Sequence, residues 1–137
     1  MRQLCVLFLG SSSELCKELI ALLRSLCSCE LVVTVGTSAE ALELSEVIRP
    51  DLVFWDSPQA NSSEIHSIAR LRALLPDIGI IVISLYDTAQ YRDAILSAGA
   101  NFFIPKTAPR HRLVDAIRCY CPTRADHTSV TRKSTTQ

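Results

Sequence analysis

The sequence predicts a doubly wound α/β fold, a five-stranded parallel sheet in the order 2-1-3-4-5 with helices on both faces. Three observations carry that expectation. Apolar runs of strand length alternate with helix-length amphipathic stretches along the chain. The runs are rich in Ile, Val and Leu and lack strict alternation, as parallel strands covered on both faces require. Helix-start signals follow each strand or its loop. The resulting order, βαβαβαβαβα, with short right-handed crossovers, leads to an open parallel sheet. Of the two common doubly wound orders, five strands suit 2-1-3-4-5, and the crevice then lies at the C-terminal ends of strands one and three.

The strand candidates are Leu4–Leu9, Leu31–Val35, Leu52–Trp55, Ile80–Ser84 and Phe102–Ile104. Between them Ser11-x-x-Glu14, Thr37-x-x-Glu40, Asn61-x-x-Glu64 and Asp87-x-x-Gln90 have capping-box spacing ahead of a helical apolar period. Gly99 falls where a helix C-cap is needed before the last strand. Thr107 is expected to open a fifth helix through Leu113, Ile117 and Tyr120, with Pro109 tolerated in its first turn.

The 137 residues suit one domain, assigned to residues 1–121, and 122–137 read as a flexible polar tail or linker with almost nothing to bury. Fourteen basic residues balance fourteen acidic ones, so no general attraction to nucleic acid or anionic membrane is expected. The apolar run from Leu4 to Gly10 is at the lower limit for a signal peptide and makes a good first strand, and no run approaches a transmembrane span. A cytoplasmic location is expected. In that compartment the six cysteines read as buried thiols rather than disulfides.

Three polar residues converge on the C-terminal edge of the predicted sheet. Asp56 closes the third strand in PDLVFWD, Ser84 closes the fourth in IIVIS, and Lys106 follows the fifth in FFIPK. A carboxylate nucleophile, a hydroxyl donor and an ammonium counter-charge together suit phosphoryl chemistry. Singly, each has a plainer reading as a turn former, a local backbone partner or a solvated cation.

These segments resemble the receiver domain of two-component response regulators, a CheY-like, flavodoxin-like fold, over about residues 3–120. PDLVFWD resembles that family's third strand and phosphoacceptor, IIVISLYD its fourth strand with the switch hydroxyl, and AGANFFIPKT its fifth strand with the aromatic switch and lysine. The resemblance implies Asp56 as the phosphoacceptor position, with Ser84, Phe103 and Lys106 as the switch and phosphoryl-contact positions. It also implies autocatalysed transfer from a phosphohistidine with magnesium. The missing proline after Lys106 is similar to receivers that feed helix-turn-helix output domains.

Two positions depart from the family pattern. The acidic pair that holds magnesium at the end of the first strand is replaced by Gly10 and Ser11, the degenerate metal positions. Glu14, the nearest carboxylate, is better explained by its capping box and the helix dipole. Losing two carboxylates at about 1.5–3 kcal/mol each weakens magnesium roughly a hundred-fold or more. Leu85, directly after Ser84, stands where the family prefers a small residue and is expected to limit access to Asp56. Without acidic neighbours, Asp56 is expected to pair with Lys106.

The expected function is therefore a pseudo-receiver, a phosphorylation-independent protein-interaction module and not an enzyme, with no cofactor. The alternative is a working receiver phosphorylated on Asp56 in a phosphorelay, using Mg2+ and controlling a DNA-binding output domain outside this chain. Expected partners are signalling proteins, a histidine kinase or an output domain, with no direct nucleic-acid binding and no membrane. The partner surface implied by the resemblance is the fourth helix, fifth strand and fifth helix, through which a homodimer is also open. Arg110, His111, Arg112 and Arg118 make the last helix basic, which favours an acidic patch on the partner. A third reading gathers Cys27, Cys29, Cys119 and Cys121 into a zinc or redox site, although the single-residue spacing is short for zinc. His66, His111 and His127 show no ligand spacing.

Overall fold

In the computed structural model, residues 4–10, 13–26, 29–57 and 61–120 are described. The elements run β1 (Leu4–Leu9), α1 (Ser13–Leu26), β2 (Cys29–Val35), α2 (Ser38–Ile48), β3 (Leu52–Ser57), α3 (Ser62–Leu74), β4 (Gly79–Ser84), α4 (Ala89–Ala98), β5 (Phe102–Pro105) and α5 (Arg110–Arg118). The strands form one sheet in the order β2-β1-β3-β4-β5, with every pairing parallel. The predicted architecture is therefore the observed one.

Successive strand residues point to opposite faces, so the sheet divides its apolar side chains between two cores. Leu7, Val53, Trp55, Val82 and Phe103 pack with Ala41, Ile68, Leu71 and Ile95 of α2, α3 and α4. Phe8, Phe54, Ile81, Ile83 and Ile104 pack with Leu19, Leu23, Ala116 and Ile117 of α1 and α5. Trp55, Phe8 and Phe54 are fully enclosed, which is why the central strands read as unbroken apolar runs.

The caps follow the sequence in two helices and depart from it in two. Thr37 and Asn61 accept hydrogen bonds from the Glu40 and Glu64 amides. Glu64 does not complete its capping box, because its Oε1 accepts from Trp55 Nε1 at 3.0 Å instead. The N-cap of α4 is Thr88 rather than Asp87, its hydroxyl accepting from the Tyr91 amide. Asp87 instead forms a 3.1 Å ion pair with Arg92. The fifth helix begins at Arg110, not Thr107, with Pro109 as an N-cap that offers no side-chain acceptor.

Gly99 ends α4 at φ +129°, where a Cβ would lie 2.7 Å from the Cβ of Arg72. Arg72 clamps the edge of the fold opposite the crevice. Its guanidinium donates to the carbonyls of Gly99, Leu75, Pro76 and Ile78 and, at 2.6 Å, to Asn101 Oδ1. Asn101 Oδ1 also accepts from the Ile80 amide, which joins the starts of β4 and β5.

Candidate functional site

Strand parity decides which side chains share the crevice. Position 56 follows Leu52 and Phe54 onto the α1/α5 face, position 106 follows Phe102 and Ile104, and position 10 follows Val6 and Phe8. Gly10, Asp56 and Lys106 therefore meet on one face. Ser84 continues the opposite face of Ile80 and Val82, and Phe103 belongs to that second core.

Asp56 is 5% exposed, and Lys106 Nζ lies 2.9 Å from its Oδ1. That contact is an ion pair without the alignment of a directed hydrogen bond, and Oδ1 has no other partner. Lys106 keeps 27% of its side chain exposed, so the pair has one dry and one wet end. Its backbone amide also donates to the Ser84 carbonyl at 2.8 Å, fixing the start of the loop after β5 against β4.

Gly10 lies directly against the carboxylate. A Cβ there would sit 2.9 Å from Asp56 Cβ, 3.1 Å from Asp56 Oδ2 and 2.8 Å from Phe8 Cε1. Real Cβ contacts of that length are not found, so the position has no room for a side chain without movement. The obstacle is space, not backbone conformation. Nothing is described of Ser11.

Ser84 is fully buried, and its Oγ accepts from the Tyr86 amide at 3.0 Å, shaping the β4–α4 turn. Phe103 is 4% exposed and meets Tyr91 edge to face at 5.8 Å. Leu85 is 66% exposed, with Tyr86 beside it at 50%. Gly10 and Lys106 are the neighbours that crowd the carboxylate.

These residues do not fit a magnesium site. Magnesium takes near-octahedral oxygen ligands, usually with one or two carboxylates. Asp56 stands here beside a glycine, and Glu14 is exposed in the first turn of α1. Among the described residues, no three His, Cys, Asp or Glu side chains gather into a metal-binding group. Cys27, Cys121 and the Cys29 side chain lie outside the described residues, as does the tail. Cys16 and Cys119 are free thiols, the first half-buried and the second exposed.

Sequence reasoning missed the approach of Gly10 to Asp56, the Trp55–Glu64 bond beneath it and the Arg110–Glu18 ion pair at 3.3 Å joining α5 to α1. A small residue at the end of β1 was the only signal of the first. The other two join residues that no local pattern relates.

The parallel 2-1-3-4-5 sheet thus carries a buried aspartate at its switch point, paired with the lysine that follows β5. The family model of the response regulator receiver domain matches residues 12–118, and the chain belongs to that family. The match begins after Gly10 and Ser11. The chain is 29% identical over 90 residues to the oxygen regulatory protein NreC of Staphylococcus carnosus, which covers 65% of this chain and 42% of that protein. It is 27% identical over 112 residues to the transcriptional regulatory protein MctR of Rhizobium johnstonii, covering 82% of this chain and 52% of that one. The chain thus spans about half the length of such relatives, or less.

Among solved structures, a response regulator from Thermotoga maritima superposes with a TM-score of 0.76 at 20% identity, covering 89% of this chain and all of that one (100%). A CheY-like protein, tadZ, from Pseudomonas aeruginosa gives 0.69 at 24% identity, covering 87% and 99%. Both likenesses concern the fold. No helix among the described residues is long and apolar enough to cross a membrane.

Proposed function

We propose that this receiver domain works without aspartyl phosphate, as an interaction module whose folded surface is read by a partner signalling protein. The observation that carries the reading is that Gly10, at the position where the family keeps its first acidic residue, has no room for a side chain, since a Cβ there would lie 2.9 Å from Asp56 Cβ. The Asp56–Lys106 pair then acts as a structural bond that closes the crevice.

The surface for the partner is α4, β5 and α5. Arg110, His111, Arg112 and Arg118 are all exposed on α5, which favours an acidic patch on a histidine kinase or output domain, or on a second copy with an acidic face. The relatives are longer regulatory proteins, so an output domain outside this chain is part of the proposal.

A second reading, a phosphoacceptor receiver, draws on the retained Asp56, Ser84, Phe103 and Lys106. Titration with Mg2+ and beryllofluoride, followed by amide chemical shifts at Asp56, Ser84 and Phe103, separates the two. The pseudo-receiver gives no saturable response, and Asp56→Asn keeps partner binding. Saturation at millimolar Mg2+, with shifts spreading to Phe103, overturns it in favour of phosphotransfer.

A further inference from the structure

Behind the ion pair, on the α1/α5 face, lies a cleft of about 330 Å³. Its walls mix polar with apolar surface, the apolar part built from Leu15 and Leu22 of α1, Ile83 and Ile104 of the sheet, and Leu113 of α5. Three charged residues line it as well: Glu18, Lys106 and Arg110. Each cation already faces one carboxylate, Lys106 that of Asp56 and Arg110 that of Glu18.

The cations have donors to spare. Arg110 spends one N–H on Glu18 Oε2, leaving four of the guanidinium's five. Lys106 spends one N–H on its 2.9 Å contact with Asp56 Oδ1, which leaves the other two for another acceptor. An apolar pocket with a few convergent polar groups is the usual make-up of a small-ligand site, and 330 Å³ lies at the lower end of the usual size range. At about 30 Å³ per water-sized group, it holds roughly ten non-hydrogen atoms.

We propose that this cleft binds a small amphipathic anion, a carboxylate on an apolar body of that size. The hydrocarbon packs on Leu22, Ile104 and Leu113, and the carboxylate takes hydrogen bonds from Arg110 and Lys106. Lys106 serves Asp56 and the ligand together, which links occupancy of the cleft to the closed state of the crevice. The site shares Lys106 with the Asp56 crevice, while Asp56, Ser84 and Phe103 are not in its walls.

The test is titration of the isotopically labelled full chain with sodium octanoate, followed by amide chemical shifts. 1-Octanol serves as the uncharged analogue and inorganic phosphate as the bare anion. Saturable shifts centred on Leu22, Ile104, Lys106 and Leu113 are expected, with octanol about tenfold weaker or worse. Arg110→Gln, at an exposed position, is expected to weaken octanoate about threefold. Leu22→Trp fills the cleft and abolishes binding. Octanol equal to octanoate, phosphate equal to octanoate, shifts scattered outside the cleft, or unchanged affinity in both Arg110→Gln and Lys106→Gln would each overturn the proposal.

Discussion

Lys106→Met leaves the Asp56 carboxylate buried without its counter-charge, and the structure sets the size of the effect. At 2.9 Å the gross attraction is about 6 kcal/mol for an effective dielectric of 20 and about 1.4 kcal/mol in bulk water. Desolvation of Asp56 opposes it, and the 27% exposure of Lys106 places the pair between those limits. A coupling of about 2 kcal/mol is expected. The two single variants should differ, because the partners are unequally buried. Lys106→Met strands a charge that is 5% exposed and costs about 2–3 kcal/mol. Asp56→Asn leaves an ammonium that hydrates, and costs about 1 kcal/mol or less. In the double variant, Asp56→Asn should recover about 1–2 kcal/mol of what Lys106→Met lost. Urea unfolding followed by the fluorescence of Trp55, the single tryptophan and fully buried beside the site, gives all four values. A coupling below about 0.5 kcal/mol, or Asp56→Asn costing more than Lys106→Met, would refute the reasoning.

Other perturbations test the rest of the fold and site. Gly10→Ala should cost about 1–3 kcal/mol by overpacking against Asp56 and Phe8, seen as a lower urea midpoint. Gly10→Asp should cost more and gain no Mg2+ binding by calorimetry; millimolar binding with retained stability would defeat the account of the crevice. Arg72→Met should lose about 2–3 kcal/mol by stranding part-buried carbonyls, and Arg72→Lys should not rescue it, because an ammonium cannot span five acceptors. Tyr120 is pushed up to about 12, first by burial and then by Cys119, with Arg72 opposing. A raised folded pKa means stability is fully present below about pH 10 and lost between about pH 10 and 12. With its partial exposure the loss is about 1 kcal/mol, and Tyr120→Phe should remove that part of the alkaline slope in urea titrations.

What the sequence determined by itself was periodic or local. The strand runs, the Thr37 and Asn61 caps and the Gly99 stop depend on residues within a turn or a pleat, and the structure holds all of them. The convergence of Asp56, Ser84 and Lys106 on one sheet edge was also legible, because strand order and direction follow from the alternation of elements. The caps that changed were local ties. Asp87 and Thr88 both offer an oxygen at the start of α4, and the pull of Arg92 on Asp87 left the cap to Thr88. The Tyr86 amide bonds to Ser84 Oγ across the turn after β4, a contact no pattern encodes. Only the tertiary structure decided that Gly10 seats against Asp56, that Arg72 gathers five acceptors from the α3–β4 and α4–β5 connections, and that α1 and α5 leave a charged cleft between them. Those features depend on how closely the ends of neighbouring strands and helices approach, which sheet twist and side-chain packing set across long sequence separations.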